Sequence, residues 1–434
     1  MTSSVVTQEK GSTASATARP YLLGGLAAPL NFRFSRMLAG LLLLGLLLVA
    51  AVATWLIASG PGPRATGPAP ARRAGAARPA TRTVSLQTPP LTGRFPVGTM
   101  SLRLADRSRR DPSSPSGVQE LMVQFWYPAQ STRGHAVAPY VPAHVARLAE
   151  RYYRIPGHLV ERLRTRAYTG VPITPGHHAV LLYSPGLGDM RSDDTALEEN
   201  LASDGFVVVA IDHTHEAHWV QFPDGRIVRW SVPYTSSNSN GWTSAMALRR
   251  VKDLQFVAAE LSKLDRGNPV LHGALDLARV GAFGFSLGGS TAANAMKTDP
   301  QIRAGADLDG AIHPPVLGSG LSRPFMIMLD PGAYAYGIRP FVRRLTGPYL
   351  VLQLDASQHA AFTDDVWLSV LVRRVAPRLA AALPPGSVNA SAAVGAESAY
   401  LDAFFETYLD GRPSRLLAGQ SRTHPVVKVI ARRG

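Results

Sequence analysis

The sequence places one serine in a setting typical of a catalytic nucleophile. Ser286 is the centre of a Gly-x-Ser-x-Gly motif at residues 284–288, which follows a short apolar run and begins a helical pattern. A sharp turn between a strand and a helix exposes such a serine, and the flanking glycines leave room for the backbone. The motif predicts that Ser286 attacks an electrophilic carbon such as a carbonyl. A serine that only caps a helix is the alternative.

A serine nucleophile needs a base, and His359 is the favoured candidate. It follows the last apolar run of the predicted sheet, where a neutral imidazole can take the serine proton and return it to the leaving group. His313 comes too early in the chain. We expect three further histidines to line the pocket rim or to pack, because no acidic partners at metalloenzyme spacing accompany them: His213, His215 and His218.

Two aspartates compete to orient the base. Asp309 and Asp330 each end an apolar run, whereas Asp307 lies further from the carboxyl end of its run. Either carboxylate could hold the imidazole of His359 in one tautomer. Spacing alone leaves both open.

A glycine-rich turn after an earlier apolar run predicts an oxyanion hole. Residues 184–188 read Ser-Pro-Gly-Leu-Gly. Sites of this kind take one amide from such a loop and one from the residue after the nucleophile, so we expect the backbone N–H groups of Leu187 and Leu287 to bind the oxyanion. A turn without a role is the alternative.

The elements that position these residues alternate between apolar runs and helical patterns. Buried strands are predicted at 178–184, 206–212, 279–283, 304–309, 325–330 and 349–355, with helices at 193–204, 242–264 and 287–297. Two earlier strands (99–106, 119–127), a helical stretch (143–165, broken at Pro156), a hairpin (220–228) and a helical C-terminal section (including 399–409) complete the pattern. Apolar strands separated by helices predict an α/β fold with a doubly wound, mainly parallel sheet.

The N-terminal region differs from the rest of the chain. Residues 37–58 are apolar and uncharged, and as a helix they are long enough to span the ~30 Å hydrocarbon layer of a membrane. We expect a disordered segment at 1–36, a single-pass transmembrane helix at 37–58, a linker rich in Ala, Pro and Arg at 59–91, and the catalytic domain at 92–434. The domain is expected outside the cytoplasm. A signal segment, cleaved to release a secreted protein, is the alternative.

Charge and cysteine content limit the partners and the chemistry that the sequence allows. The formal net charge is +15, but much of the arginine excess lies near the chain ends, and no nucleic-acid-binding motif is present, so we expect no nucleic-acid partner. We interpret the C-terminal cations as a solvated tail. The absence of cysteine excludes disulfides and a thiol nucleophile. The oligomeric state is not predicted.

Several motifs together resemble the platelet-activating factor acetylhydrolases of the plasma/isoform II type and their bacterial relatives. They include FPVGTMSLRLADRSR, LMVQFWYPA, SPGLG, LASDGFVVVAIDHT, GFSLGG, DLDG and SQHAAF. The resemblance implies an α/β-hydrolase fold. It favours Asp309 as the acid, because the family's acid lies in a Leu-Asp-Gly or Leu-Asp-Ala motif about two dozen residues after the serine. Related polyester hydrolases would use Asp330.

The resemblance also implies the activity. The family needs neither a metal nor another cofactor and removes short or oxidised acyl chains from phospholipids. A cutinase-like or general esterase and a non-catalytic, membrane-tethered binding protein are the alternatives. The stretch 143–165 corresponds to part of the family's lipid-facing surface, so five apolar side chains either contact a bilayer or pack onto the sheet: Val145, Leu148, Tyr152, Tyr153 and Leu159.

Overall fold

The strands of the protein follow the apolar runs of its sequence. The computed structural model describes residues 86–434 except 234–238, 335–337, 376 and 378–383. The strands are β1 (Val97–Arg110), β2 (Val118–Pro128), β3 (Val137–Pro139), β4 (Arg164–Thr169), β5 (His178–Ser184), β6 (Val207–Asp212), β7 (Trp219–Gln221), β8 (Ile227–Arg229), β9 (Leu275–Phe285), β10 (Ile302–Leu308), β11 (Phe325–Leu329), β12 (Tyr349–Leu354) and β13 (Val427–Arg433).

The helices lie between these strands. They are α1 (Ala143–Tyr153), α2 (Leu159–Arg162), α3 (Thr195–Asp204), α4 (Ser239–Gly267), α5 (Leu287–Thr298), α6 (Val316–Ser319), α7 (Arg339–Val342), α8 (Asp365–Val375) and α9 (Ala390–Leu409). Local signals fix some of their ends. The Asn389 side chain accepts a hydrogen bond from the Ala392 N–H at 3.1 Å and begins α9, and Gly205 ends α3 with φ 120°.

One eleven-stranded sheet forms the centre of the fold, with the order β13-β12-β11-β10-β9-β5-β6-β2-β1-β4-β3. The strands from β12 to β6 in this order pair in parallel, whereas β2 and β13 pair antiparallel with their neighbours. Every residue of β6 and β11 is buried, as expected for parallel strands covered on both faces. The predicted α/β class and mainly parallel sheet are therefore confirmed.

Strand order determines where the site forms. The chain passes from β5 to β6 in one direction across the sheet and later continues from β9 to β12 in the other, so the order reverses between β5 and β9. In open α/β sheets, ligands bind at such a reversal, beyond the carboxyl ends of the strands. β5 ends at Ser184, the first residue of the glycine-rich turn, and β9 ends at Phe285, immediately before Ser286.

Two apolar clusters hold the helices on the two faces of the sheet. Successive residues of one strand face opposite clusters, so that Leu181 of β5 packs with α3 and α9 while Leu182 packs with α4 and α5. Both leucines are fully buried. The turns that carry the candidate site therefore begin at the ends of strands that are packed on both faces.

Two regions differ from the predicted elements. The helical stretch 143–165 ends at Arg162, and β4 begins at Arg164. The C-terminal segment 427–433 forms β13 along the edge of the sheet, so the solvated-tail interpretation is wrong for it. Arg433 donates a hydrogen bond to the Leu345 carbonyl at 2.5 Å and lies over the Tyr349 ring. Cations on an edge strand obscure its apolar pattern, and they also discourage further strand pairing.

Contacts with the folded domain begin earlier than residue 92. The Thr88 hydroxyl donates to the buried Glu199 carboxylate at 2.6 Å, and Gln87 pairs with Arg164 of β4. The predicted segments 1–36 and 37–58 lie outside the described residues. Within the described residues, no helix is long and apolar enough to cross a membrane.

Candidate active site

Ser286 occupies a strained turn between β9 and α5. Its φ is 54° and its ψ is −119°, a conformation that L-residues rarely adopt. The neighbouring glycines are sterically required, because a Cβ on Gly284 would lie 2.4 Å from the Gly288 carbonyl carbon and a Cβ on Gly288 would lie 1.8 Å from the Ser184 oxygen. The turn has the strand–turn–helix geometry that the motif predicts for a nucleophile.

His359 and Asp309 complete a continuous chain of hydrogen bonds with Ser286. The Nε2 atom of His359 lies 3.0 Å from Ser286 Oγ, and its Nδ1 atom lies 2.6 Å from Asp309 Oδ2. An ionised carboxylate only accepts hydrogen bonds, so Nδ1 carries the proton and Nε2 is free to accept the serine hydroxyl. The structure brings together these three predicted residues.

Asp330, the other candidate acid, contacts Asp309 through its backbone. Its backbone N–H donates to Asp309 Oδ1 at 2.8 Å, so it fixes the orientation of the Asp309 carboxylate. Asp307 is fully buried beneath the Ser286 turn and accepts a hydrogen bond from the Gly310 N–H at 3.0 Å. Burial and the charge of Asp309 hold the pKa of the Asp307 carboxyl well above its ordinary value.

The charges around His359 favour its protonated form. Burial lowers the pKa of the imidazole, but the hydrogen bond and negative charge of Asp309, with the further charges of Asp189 and Asp330, outweigh burial and raise it above the ordinary value. Asp189 and Asp330 themselves have pKa values raised to about 6, in both cases chiefly by burial. Both carboxyls lose their protons as the pH rises through about 6, so both are mainly negative where a histidine of raised pKa titrates.

This electrostatic setting predicts a measurable pH dependence. The imidazole must be neutral to accept a proton, so the acidic limb of kcat/KM should lie above the ordinary histidine pKa. Asp189→Asn removes a negative charge that stabilises the imidazolium, so the limb should move to lower pH. The pH–rate profile checks this. Asp224→Asn, in the exposed turn between β7 and β8, is the matched control and should leave the limb in place; a shift in the control, or none in Asp189→Asn, contradicts the prediction.

The proposed oxyanion donors adjoin the Ser286 turn. Leu287 is the first residue of α5, where backbone N–H groups have no intrahelical acceptor. Leu187 lies in the glycine-rich turn, and its side chain packs in the same apolar cluster as that of Leu287. The backbones of the two segments also meet, because Gly288 lies against the Ser184 and Pro185 carbonyls.

The three histidines after β6 bind protein groups. His213 is buried and lies 2.9 Å from Ser184 Oγ and 2.7 Å from an Asp253 oxygen. His215 Nε2 lies 2.8 Å from Asp111 Oδ2. The His218 backbone N–H donates to the Gly188 carbonyl at 2.9 Å, which places this histidine beside the glycine-rich turn.

His313 and one polar cluster are the remaining candidate ligands among the described residues. Burial lowers the pKa of His313 to about 4, and its backbone N–H donates to Ser290 Oγ. Among the described residues, Glu150, His158 and Glu161 form a group whose ligand atoms lie within 4.8 Å of one another. Arg147 pairs with Glu161 at 2.6 Å, so a cation already neutralises part of this cluster.

An aromatic wall, formed by Tyr152, Tyr153, His218 and Trp219, flanks the glycine-rich turn. The Tyr152 ring is 65% exposed and lies edge-on to Trp219, with centroids 5.6 Å apart. His218 and Trp219 are also 5.6 Å apart. The wall therefore offers ring surface next to the predicted oxyanion hole.

Most of the five apolar residues considered for membrane contact are packed inside the protein. Val145 and Leu159 are buried, and Leu148 and Tyr153 pack against the core cluster. Tyr152 alone of the five is largely exposed. Packing onto the sheet is therefore the correct alternative for the other four.

An activated serine at the switch point of a mainly parallel α/β sheet is the arrangement of serine ester hydrolases, and this chain is one of them. A family model described as platelet-activating factor acetylhydrolase, isoform II, matches residues 80–224. A probable 1-alkyl-2-acetylglycerophosphocholine esterase from Arthroderma benhamiae is 26% identical over 79% of this chain and 93% of its own length. A platelet-activating factor acetylhydrolase from Cavia porcellus is 29% identical over 33% of this chain and 37% of its own.

A solved structure extends the similarity across the catalytic region. The ferulic acid esterase from Streptomyces cinnamoneus is 34% identical, with a TM-score of 0.68, and the match covers 80% of this chain and 99% of that one. The chain belongs to the platelet-activating factor acetylhydrolase isoform II family, as its motifs indicated.

Proposed function

We propose that the protein hydrolyses carboxylic esters through a Ser286–His359–Asp309 triad. The hydrogen-bond chain from Ser286 Oγ through the imidazole to Asp309 is the observation that carries this proposal. Ser286 Oγ attacks the ester carbonyl while Nε2 of His359 takes its proton. The imidazolium then protonates the departing alcohol, and an acyl-enzyme remains. Water, deprotonated by His359, releases the acid and restores the serine.

The oxyanion of each tetrahedral intermediate would be bound by the Leu187 and Leu287 amides. The positions of the two amides support this role, because one begins α5 and the other lies in the turn that packs against α5. Fixed donors aimed at a developing charge contribute about 2.7–4 kcal/mol each in comparable sites. No metal or other cofactor has a part in this mechanism.

The proposed substrates are lipid esters with a short acyl chain, such as a phospholipid with an acetyl group at sn-2. The family membership and the long match to a probable 1-alkyl-2-acetylglycerophosphocholine esterase support this class. A single-pass membrane tether through residues 37–58, with the domain outside the cytoplasm, would bring the site to such lipids. That tether stays a prediction, because those residues lie outside the described part of the chain.

Small aromatic esters are a second candidate class. The aromatic wall beside the glycine-rich turn provides ring surface for a planar acyl group, and a relative covering most of this chain is a ferulic acid esterase. Stacking on the exposed Tyr152 ring would contribute about 0.5–1.5 kcal/mol beyond area burial.

Direct comparison of substrates distinguishes the two classes. If lipid esters with a short acyl chain are the substrates, the full-length chain should hydrolyse 1-alkyl-2-acetylglycerophosphocholine with kcat/KM about tenfold or more above its 2-palmitoyl analogue and above methyl ferulate. Tyr152→Ala should leave the acetyl substrate unaffected. A preference for methyl ferulate that Tyr152→Ala removes would favour the second class. A folded protein that hydrolyses no ester would contradict the esterase proposal and favour a binding protein.

A further inference from the structure

A buried arginine of α4 contacts the glycine-rich turn from inside the protein. The Arg250 side chain is fully buried, although arginine is rarely found so. Its Nη1 donates to the Pro185 carbonyl at 2.7 Å and its Nη2 to the Gly186 carbonyl at 3.1 Å. Its Nε donates to Glu216 at 2.7 Å, so a buried carboxylate balances the charge and fixes the guanidinium plane.

The contact at Gly186 bears directly on the oxyanion hole. The Gly186 carbonyl and the Leu187 N–H belong to one planar peptide unit, so fixing the direction of the carbonyl also fixes the direction of the N–H. A cation that binds the carbonyl draws electron density toward it and makes the amide hydrogen a stronger donor. From this geometry we propose that Arg250 is a positioning residue that holds and polarises the Leu187 amide for the oxyanion. The inference rests on the proposed esterase function.

Neighbouring contacts hold the turn at both ends. Asp253 is ionised, because hydrogen bonds and charges from His213 and Arg109 outweigh the burial that would raise its pKa. It therefore accepts the Nδ1–H of His213, whose Nε2 lies 2.9 Å from the Ser184 hydroxyl oxygen. The Gly188 carbonyl accepts the His218 N–H. Arg250 thus acts on a turn whose ends are fixed, and its loss should disturb the middle peptide most.

Arg250→Met in the full-length chain tests the assignment. We expect kcat for p-nitrophenyl acetate to fall about 10- to 100-fold, with KM almost unchanged, because a misdirected oxyanion donor weakens binding of the transition state and not of the ground state. The inhibition constant of an alkyl trifluoromethyl ketone, whose adduct with serine places a charged oxygen in the hole, should rise by the same factor. Arg250→Lys should recover part of both losses.

Two further variants separate positioning from stability. Arg323, just before β11, also donates to backbone carbonyls, among them that of Asp299 after α5 at 2.8 Å. Because it does not contact the glycine-rich turn in these bonds, Arg323→Met should destabilise the fold without changing kcat or the inhibition constant. Arg250→Met combined with Glu216→Gln removes the buried carboxylate, which in the single variant would keep only its 3.6 Å ion pair with Arg249. If Arg250→Met does not fold, Arg250→Lys and the double variant provide the measurement.

The outcomes are distinct. Parallel losses in kcat and inhibitor affinity in a folded Arg250 variant, absent from Arg323→Met, support the inference. An unchanged inhibition constant in the Arg250 variants, or a loss of kcat no larger than in Arg323→Met, overturns the positioning role while leaving the esterase function intact. Wild-type protein without ester turnover would instead contradict the proposed function.

Discussion

Ser286→Ala is expected to lower kcat/KM for a short-chain ester by about 10⁴-fold or more while the protein stays folded. The change removes the atom that attacks the carbonyl, and no other group lies between the imidazole and the substrate in the proposed mechanism. Alanine also lacks branching at Cβ, so it adds no bulk to a turn already held at φ 54°. Steady-state kinetics with circular dichroism measure both parts of the expectation.

A nearby serine provides the control for this change. Ser290 lies one turn further along α5, is fully buried, and accepts a hydrogen bond from the His313 N–H. Ser290→Ala should cost some stability and leave most of the activity. Loss of activity in Ser290→Ala, with Ser286→Ala still active, would require a different nucleophile.

Asp309→Asn is expected to lower kcat by about 10³- to 10⁴-fold, with a much smaller change in KM. Asparagine preserves the shape but offers an N–H group to His359 Nδ1, so the imidazole turns to the tautomer whose Nε2 cannot accept the serine proton. The Asp330 N–H, which donates to Asp309 Oδ1, would still find the amide oxygen. Stability should therefore change little, and kinetics together with thermal unfolding test both expectations.

Asp330→Asn is the matched comparison, because it changes the other candidate acid by the same chemistry. The backbone N–H that fixes Asp309 remains, so kcat at its pH optimum should fall less than about tenfold. The reverse pattern is a large loss of kcat in Asp330→Asn and a small one in Asp309→Asn. It would make Asp330, which follows β11, the catalytic acid and contradict the proposed triad.

The sequence predicts the central sheet well because its strands are buried on both faces. Short uninterrupted apolar runs such as that of β6 are typical of strands covered on both faces, and the glycines around Ser286 have steric reasons to be there. The nucleophile, the base and the glycine-rich turn all follow from these runs, since each lies directly beyond the carboxyl end of one.

The acid could not be chosen from the runs alone. β10 and β11 are parallel neighbours that end at the same edge of the sheet. From the strand pattern, Asp309 and Asp330 are therefore equally good candidates to contact His359. The choice depends on where the loop carrying His359 lies, and on the turn at Asp309, whose φ of 54° directs its carboxylate toward that loop. Only the resemblance to a known family favoured Asp309 beforehand.

Two other features, β13 and the buried Arg250, are not predictable from the sequence because charged residues occupy positions inside regular elements. β13 carries Lys428, Arg432 and Arg433 and therefore has the composition of a solvated tail, because an edge strand tolerates cations along its length. The sequence carries no signal for the role of Arg250, since one arginine in a long helix has the same pattern as a surface residue. Its partner Glu216 lies in the loop after β6, and spacing in sequence gives no sign of that pairing.

Active-site labelling with a fluorophosphonate, followed by mass mapping of the labelled peptide, tests the central claim most directly. We expect one label per chain, attached to Ser286, with labelling abolished in Ser286→Ala and retained in Ser290→Ala. A label on any other residue, or a folded protein that takes up no label, would contradict the assignment of Ser286 as the nucleophile.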